Sequence, residues 1–308
     1  LLSIFFRSKL DIRNWRVEIL LISFLLAVMY MTNAWDGIIY FLLVVIVILA
    51  VQLELTTNSF VKTVKSYLLK IKRSPYLAFN TLYPIVIIAL GFFLFSLPFN
   101  ISFKPFASGI GILCAPKFLT DIGHFGPFLF ETDHCQHSPL WQLGILYGFF
   151  YFWVVSFGIL IFSKFKPKNF SITPSDIFVG ILALLSTLLI LIPEFIYVKD
   201  IYPAHYRANT MFKLVYQSFI MLSICCGYIM VRLFQEQRLL LNRLRWLWGY
   251  WVVGLTLLSI VMLYPYFAIT SYFGDLKVYH GLNGTNYLKS LYPSDYEAIA
   301  WINKNIKD

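Results

Sequence analysis

Charged residues are scarce in this chain. Asp, Glu, Lys and Arg make up 13% of its 308 residues, about half the share usual in a soluble domain. With 59% hydrophobic and 19% aromatic residues beside them, the composition excludes a soluble globular class and gives a membrane protein. The ten-residue alternating segments of a transmembrane β-barrel are missing. So are a phosphate-cradling glycine loop, a G-x-S-x-G elbow and a dinucleotide fingerprint, which leaves soluble nucleotide-dependent chemistry without support. No internal repeat or pair of interrupted helices marks a transporter. Cysteine occurs only four times. Cys225 and Cys226 fall inside an apolar run and read as small apolar residues. Cys114 and Cys135 share a polar connection and are able to pair in an oxidising compartment, with a geometry that sequence does not supply.

What is abundant is long apolar sequence. Seven runs, at about 17–33, 37–54, 77–98, 139–163, 175–197, 210–234 and 246–270, approach or exceed the roughly 20 residues needed to cross a bilayer. Lipid cannot satisfy free backbone groups, so each run is expected to be a helix. The fold class is therefore all-α, a polytopic transmembrane helical bundle.

Lys and Arg set the expected orientation. Arg7, Lys9, Arg13 and Arg16 precede the first run, and Lys62, Lys65, Lys70, Lys72 and Arg73 follow the second. Lys164, Lys166 and Lys168 follow the fourth, and Arg232, Arg238, Arg243 and Arg245 follow the sixth. These are sixteen of the 25 basic residues, all on one alternating set of sides, which is read as cytoplasmic. The net charge of +10 is thus a topology signal, with no nucleic-acid partner implied. The opening LLSIFF is too short for a signal-peptide core and is expected to be the stump of an earlier membrane segment, the chain being a fragment. At the other end, PSDYEAIAWINKNI places Ser294 and Glu297 at capping-box spacing. It is expected to open a soluble outer domain, which gives 1–270 as transmembrane and 271–308 as the beginning of an extracytoplasmic domain.

The unusual polar groups all fall on the outer side. PEFIYVKDIYPAHYRANTMFKLVYQ (193–217) holds Glu194, Asp200, His205, Arg207 and Lys213 between two apolar runs. If the fifth span continues through it, Tyr197 lies one turn after Glu194 and faces the same patch. Asn209 or Thr210 is expected to cap the sixth span. Asn209, Lys213, Tyr216 and Gln217 then form one stripe, expected to face a polar cavity shared with Glu194 and close to Asp36. Lys213 alone reads equally as an interfacial anchor. In NAWDG (33–37), Asp36 caps the second span with Trp35 as a belt aromatic, or else faces that cavity with Asn33. The loop DIGHFGPFLFETDHCQH (121–137) has metal-ligand residue types but no recognised zinc spacing.

These motifs resemble the YYY-type bacterial and archaeal membrane protein family. Its pattern Asn-x-Trp-Asp is met by Asn33, Trp35 and Asp36; Glu-x-x-Tyr-x-x-Asp by Glu194, Tyr197 and Asp200; and Arg-x-Asn-Thr-x-Phe-Lys-x-x-Tyr-Gln by Arg207, Asn209, Thr210, Phe212, Lys213, Tyr216 and Gln217. The sequence departs at Gly37, where the family has Pro, and the family's acidic motif and tyrosine run lie upstream of the part represented. The family is similar to the GT-C integral-membrane glycosyltransferases. The resemblance therefore implies transfer of a sugar from a polyprenyl-phosphate donor to an acceptor outside the cytoplasm of a prokaryotic plasma membrane.

Such a reaction needs a carboxylate as general base or as ligand to a divalent metal, with Asp36, Glu194 and Asp200 as candidates. It also needs cations for the leaving phosphate, and Arg207 and Lys213 are available. Asn33, Trp35, Tyr197, Asn209, Tyr216 and Gln217 complete the expected substrate-binding set. If the base lies upstream, Glu194 and Asp200 are expected to orient Arg207 and Lys213 instead. The partners are membrane lipid and the lipid-linked donor. A transporter or flippase for a lipid-linked or anionic solute, and a non-catalytic assembly subunit, are the rival readings.

Overall fold

The computed structural model describes residues 16–52, 75–104, 109–164, 172–199, 203–240, 246–273, 281 and 286–306. The opening LLSIFF, the basic connection 53–74 and Asp200 lie outside them. Two compact units are formed, Leu1–Leu244 and Arg245–Asp308, and each is described by itself.

In the first unit the apolar runs become helices α1 (Arg16–Thr32), α2 (Ala34–Gln52), α3 (Pro75–Ser102), α5 (Leu140–Lys164), α6 (Pro174–Leu191) and α7 (Ala208–Leu240), with the short α4 (Lys117–Thr120) in a connection. Among the described residues of the whole chain, six helices are long and apolar enough to cross a bilayer. The expected first span is a shorter apolar helix, Val17–Thr32. Apolar side chains on the outer faces, such as Leu20, Leu90 and Phe162, stay exposed, while Val47, Ile48, Ile88, Leu185, Leu222 and Ile229 fill the interior. A bundle that is apolar on both its inner and outer faces suits a lipid solvent.

Small residues and aromatics set the helix contacts. A Cβ added at Gly37 would meet Tyr30 Cβ at 2.5 Å, and one at Gly91 would meet Ser23 Oγ at 2.7 Å. These two glycines let α2 and α3 approach α1 closely. Tyr30 donates to Asn100 Oδ1 at 3.1 Å and stacks edge-on against Phe92 and Phe99. Ser218 Oγ reaches the Ser186 carbonyl at 2.9 Å, joining α7 to α6, and Tyr151 donates to Thr187 Oγ1 at 2.9 Å, joining α5 to α6. Cys225 and Cys226 are buried free thiols between these helices, as expected of small apolar residues.

The fifth span departs from expectation. α6 ends at Leu191, a single 3-10 turn follows at Ile192–Glu194, and Ile196–Val198 is a strand, β4. Tyr197 therefore does not stand one helical turn beyond Glu194. β4 belongs to a four-stranded sheet with β1 (Ile110–Ile112), β2 (His124–Phe125) and β3 (Phe128–Leu129), in the order β2-β3-β1-β4. β1 runs parallel to β3 and antiparallel to β4. Strands of two or three residues are too short to leave an alternating pattern in sequence. The all-α bundle thus carries a small sheet at the end where α3 leads to α5 and α6 leads to α7.

The second unit holds α8 (Trp246–Phe273), α9 (Asn286–Leu291) and α10 (Pro293–Asn305). α10 begins where its amphipathic pattern predicts. The expected Ser294–Glu297 box is not what starts it: Tyr292 is the N-cap residue and makes no side-chain cap bond, with Pro293 at the first helical position.

Candidate functional site

Two polar clusters take up most of the predicted site residues. Both belong to the first unit.

The upper cluster stands where the sheet meets the bundle. Arg207, just before α7, sends Nη2 to Glu194 Oε1 at 2.7 Å and to Ser138 Oγ at 2.8 Å, and Nη1 to the Gln136 carbonyl. Its Nε lies 3.3 Å from Met211 Sδ. Glu194 is equally occupied: Ser138 donates its backbone N–H to Oε2 and its hydroxyl to Oε1, both at 2.7 Å. Both residues are 8% exposed. A buried carboxylate and guanidinium satisfied this fully brace each other, and neither is free to exchange a proton or grip a phosphate without breaking bonds. Glu194 and Arg207 do come together as expected, and the third partner, Ser138, was invisible because it stands 56 positions from Glu194 in the chain.

Next to this brace, Tyr197 crosses β1. A Cβ at Gly111, its register partner, would fall inside the Tyr197 ring, so only glycine fits. The Tyr197 hydroxyl donates to Glu131 Oε2 at 2.5 Å and touches His134 Nδ1. His134 in turn stacks on Tyr206 at 3.9 Å, and Lys199 Nζ lies 2.9 Å from Glu131 Oε1. Burial raises the Glu131 carboxyl, but hydrogen bonds from Lys199 and Tyr197 and the Lys199 charge outweigh it and hold the group below its ordinary range. Burial and the neighbouring Glu131 push the Tyr197 hydroxyl up, so Tyr197 stays protonated and donating. Leu113, Tyr197 and Tyr206 form a buried apolar centre under the sheet.

Cys114 and Cys135 are joined as a disulfide. It ties the end of β1 to the loop that carries His134, Gln136 and Ser138. Among the described residues, Cys114, Cys135 and His137 are the one His/Cys/Asp/Glu group tight enough to hold a metal. With both sulfurs spent on each other, only His137 remains as a donor, and this set does not fit a metal.

The lower cluster joins α2 to α7. Asn33 Nδ2 donates to Asp36 Oδ1 at 2.9 Å and Gln217 Nε2 donates to the same oxygen at 2.8 Å. Tyr40 closes the chain by donating to Gln217 Oε1 at 3.0 Å. Among the described residues, the second Asp36 oxygen has no hydrogen-bond partner. Gln217 lies ten positions beyond Arg207, roughly 15 Å along a helix axis. Asp36 and Glu194 share no hydrogen-bond partner among the described residues.

The expected stripe also divides. Gln217 is buried and reaches Asp36, whereas Tyr216 is 56% exposed and stacks on Phe212 instead. Lys213 and Asn209 are half-buried, and Lys213 makes no ion pair among the described residues. Thr210 does not cap α7, which starts at Ala208; its hydroxyl accepts from the Val198 N–H at 2.9 Å. Trp35 is half-buried in the first turn of α2.

A third cluster, at the opposite end of the α6–α7 pair, went unnoticed in sequence. Asp176 is 3% exposed and completes a capping box with Thr173. It also accepts from Tyr228 at 2.8 Å and from Arg232 Nε at 3.2 Å, and Arg232 pairs as well with Glu236 at 2.8 Å. The Thr-x-x-Asp spacing was the one signal that pointed to Asp176. Arg207 and Arg232 are 25 positions apart, about 37 Å along a helix, which brackets a hydrocarbon layer of about 30 Å. By that measure Gln217 lies roughly 11 Å inside the layer.

No curated protein and no solved structure matches the chain. A family profile described as "Uncharacterized membrane protein (DUF2298)" matches residues 1–175 and 159–222. That match covers well over half of the sequence, and with the apolar helices described above it establishes that the chain belongs to this family of integral membrane proteins.

Proposed function

We propose that the protein is a membrane glycosyltransferase of GT-C type, transferring a sugar from a polyprenyl-phosphate donor on the extracytoplasmic face of a prokaryotic plasma membrane. The observation that carries this reading is the state of Asp36. One of its carboxylate oxygens is fixed by two amide donors, while the other has no hydrogen-bond partner among the described residues. A base held in one orientation with a free oxygen is suited to accept a proton from an acceptor hydroxyl. As the acceptor's oxygen, its proton passing to Asp36, bonds to the anomeric carbon, the bond from that carbon to the donor phosphate breaks and the phosphate leaves with its lipid. Lys213, one helical turn nearer the sheet than Gln217, offers that phosphate a cation not committed to any described carboxylate.

In this reading Glu194 and Arg207 are positioning residues that hold the upper loop over the site, which differs from the expectation that Glu194 would orient Arg207 and Lys213 toward the donor phosphate. Asp36 is favoured over Glu194 as the base because both Glu194 oxygens are already bonded. The disulfide supports the orientation, since such bonds persist in oxidising compartments.

The test is transfer by the full-length protein, reconstituted in liposomes with radiolabelled polyprenyl-phosphate sugars. Asp36→Asn, which keeps size and removes basicity, should lower turnover by about 100-fold or more. Transfer at the wild-type rate would remove Asp36 as the base. Passage of intact donor across the bilayer with no transfer would replace the enzyme by a flippase.

A further inference from the structure

The connection between α3 and α5 exposes four large apolar side chains within eleven positions. Phe118 and Ile122 belong to α4 and the turn after it, and Phe125 and Phe128 to the β2–β3 hairpin; they are 66%, 58%, 75% and 40% exposed. Single exposed apolar residues are ordinary, whereas a contiguous group marks an interaction surface. Gly123 and Gly126 turn the chain with φ of +77° and +58°, and neither has a neighbour that a side chain would meet. Ile110 N–H bonds the Pro127 carbonyl at 2.8 Å, and Phe130 N–H bonds the Gly123 carbonyl at 2.8 Å. With Phe130 itself buried, the base of the hairpin is fixed and its tip projects.

Several observations say what the tip meets. β2 is the sheet edge farthest from β4, three strand spacings or roughly 14 Å away. β4 is tied through Val198 to Thr210 in the first turn of α7, so the sheet that carries the hairpin is anchored at the level where α7 begins. The connection starts and ends on exposed apolar residues, with Ile101 and Phe103 at the end of α3 and Leu140 and Trp141 at the start of α5. Lys104 and Lys117 are exposed in the same connection, with Asp121 the nearest exposed acid in its sequence. Aromatic and aliphatic side chains with basic neighbours are the composition of segments that lie in a bilayer interface.

We propose that α4 and the β2–β3 hairpin form a membrane finger that does not cross the bilayer. Phe118, Ile122, Phe125 and Phe128 enter the boundary between headgroups and acyl chains of the leaflet on the disulfide-bearing side, and Lys104 and Lys117 meet the lipid phosphates. The finger thereby fixes the height of the loop that supplies Gln136 and Ser138 to Arg207. It is independent of the glycosyltransferase reading.

The experiment uses the full-length protein in vesicles of phosphatidylcholine and phosphatidylglycerol, with a nitroxide attached through Phe125→Cys and, as reference, through His205→Cys. The label at 125 should collide more with oxygen, and several-fold less with a water-soluble nickel chelate, than the label at 205. Phe128→Cys takes the place of Phe125→Cys if that variant does not fold. A label at the tip as open to the nickel chelate as the one at 205 would overturn the proposal. So would a label shielded from both reagents, which would mean that another protein segment covers the tip.

Discussion

Arg207 Nη2 lies 2.7 Å from Glu194 Oε1, with the two side chains 10% and 11% exposed. The pair closes the junction between the start of α7 and the loop before α5, because Ser138 bonds to both members. Arg207→Ala leaves a buried carboxylate without its counter-charge and is expected to destabilise by about 3–5 kcal/mol. Arg207→Lys keeps the charge but loses the planar fork to Gln136 and Ser138, and should cost about 1–3 kcal/mol. Thermal unfolding of the full-length protein in detergent measures both. Equal midpoints for wild type and Arg207→Ala would show that the pair contributes nothing to the fold.

Gly111→Ala forces a methyl group into the Tyr197 ring. Overpacking of this kind is expected to cost about 1–3 kcal/mol, and to pull the Tyr197 hydroxyl away from Glu131. The Gly111→Ala, Tyr197→Phe double variant separates the two effects. Its ring still clashes but has no hydroxyl to displace, so a double variant no less stable than Tyr197→Phe alone would place the damage in the hydroxyl and not in packing.

Replacing both Cys114 and Cys135 by Ser removes a covalent tie across 21 positions, worth roughly 3 kcal/mol in the chain-entropy account. Amide exchange in residues 131–138 should speed up by at least tenfold, with α6 and α7 little affected. Unchanged exchange in that loop would mean that the hydrogen bonds to Arg207 and Tyr206 hold it without the disulfide.

Glu131 carries part of the pH dependence. Its carboxyl titrates below the ordinary value of 4.5. Its ion pair therefore contributes fully above about pH 4.5, and the contribution is lost as pH falls through the lowered folded value. The wild type should melt above Glu131→Gln at neutral pH, and the gap should narrow as acid is added. A gap that does not vary with pH would show that the charge on Glu131 contributes no stability.

The helices were legible because lipid imposes one rule on every crossing segment, and a run such as 37–54 is apolar along its whole length. Glu194, Arg207, Asp36 and Gln217 were legible as residues out of place in such a chain, but their partners were not. Arg207 finds Ser138 and Gln136 about 70 positions away, and Gln217 finds Asp36 at 181. Nothing local records contacts at that range. Tyr197 was misplaced because Pro193 was read as lying within a span, whereas the chain leaves the helix at Leu191 and goes on as an extended segment. Asp176 escaped notice by standing at a helix start, where an acidic residue is ordinary.

The capping box of α6 has a mechanical consequence. Asp176 holds the first turn of α6 and grips Tyr228 and Arg232 of α7 with the same two oxygens, while Glu194 and Arg207 bolt the other ends of these helices together. Sliding one helix along the other would have to unwind α6 and strand two buried charges at once, so α6 and α7 travel as a single stiff strut. The seam where α2 meets that strut is tied differently. There the tie is a chain of amide and hydroxyl bonds through Asp36, Gln217 and Tyr40, which can be exchanged one at a time.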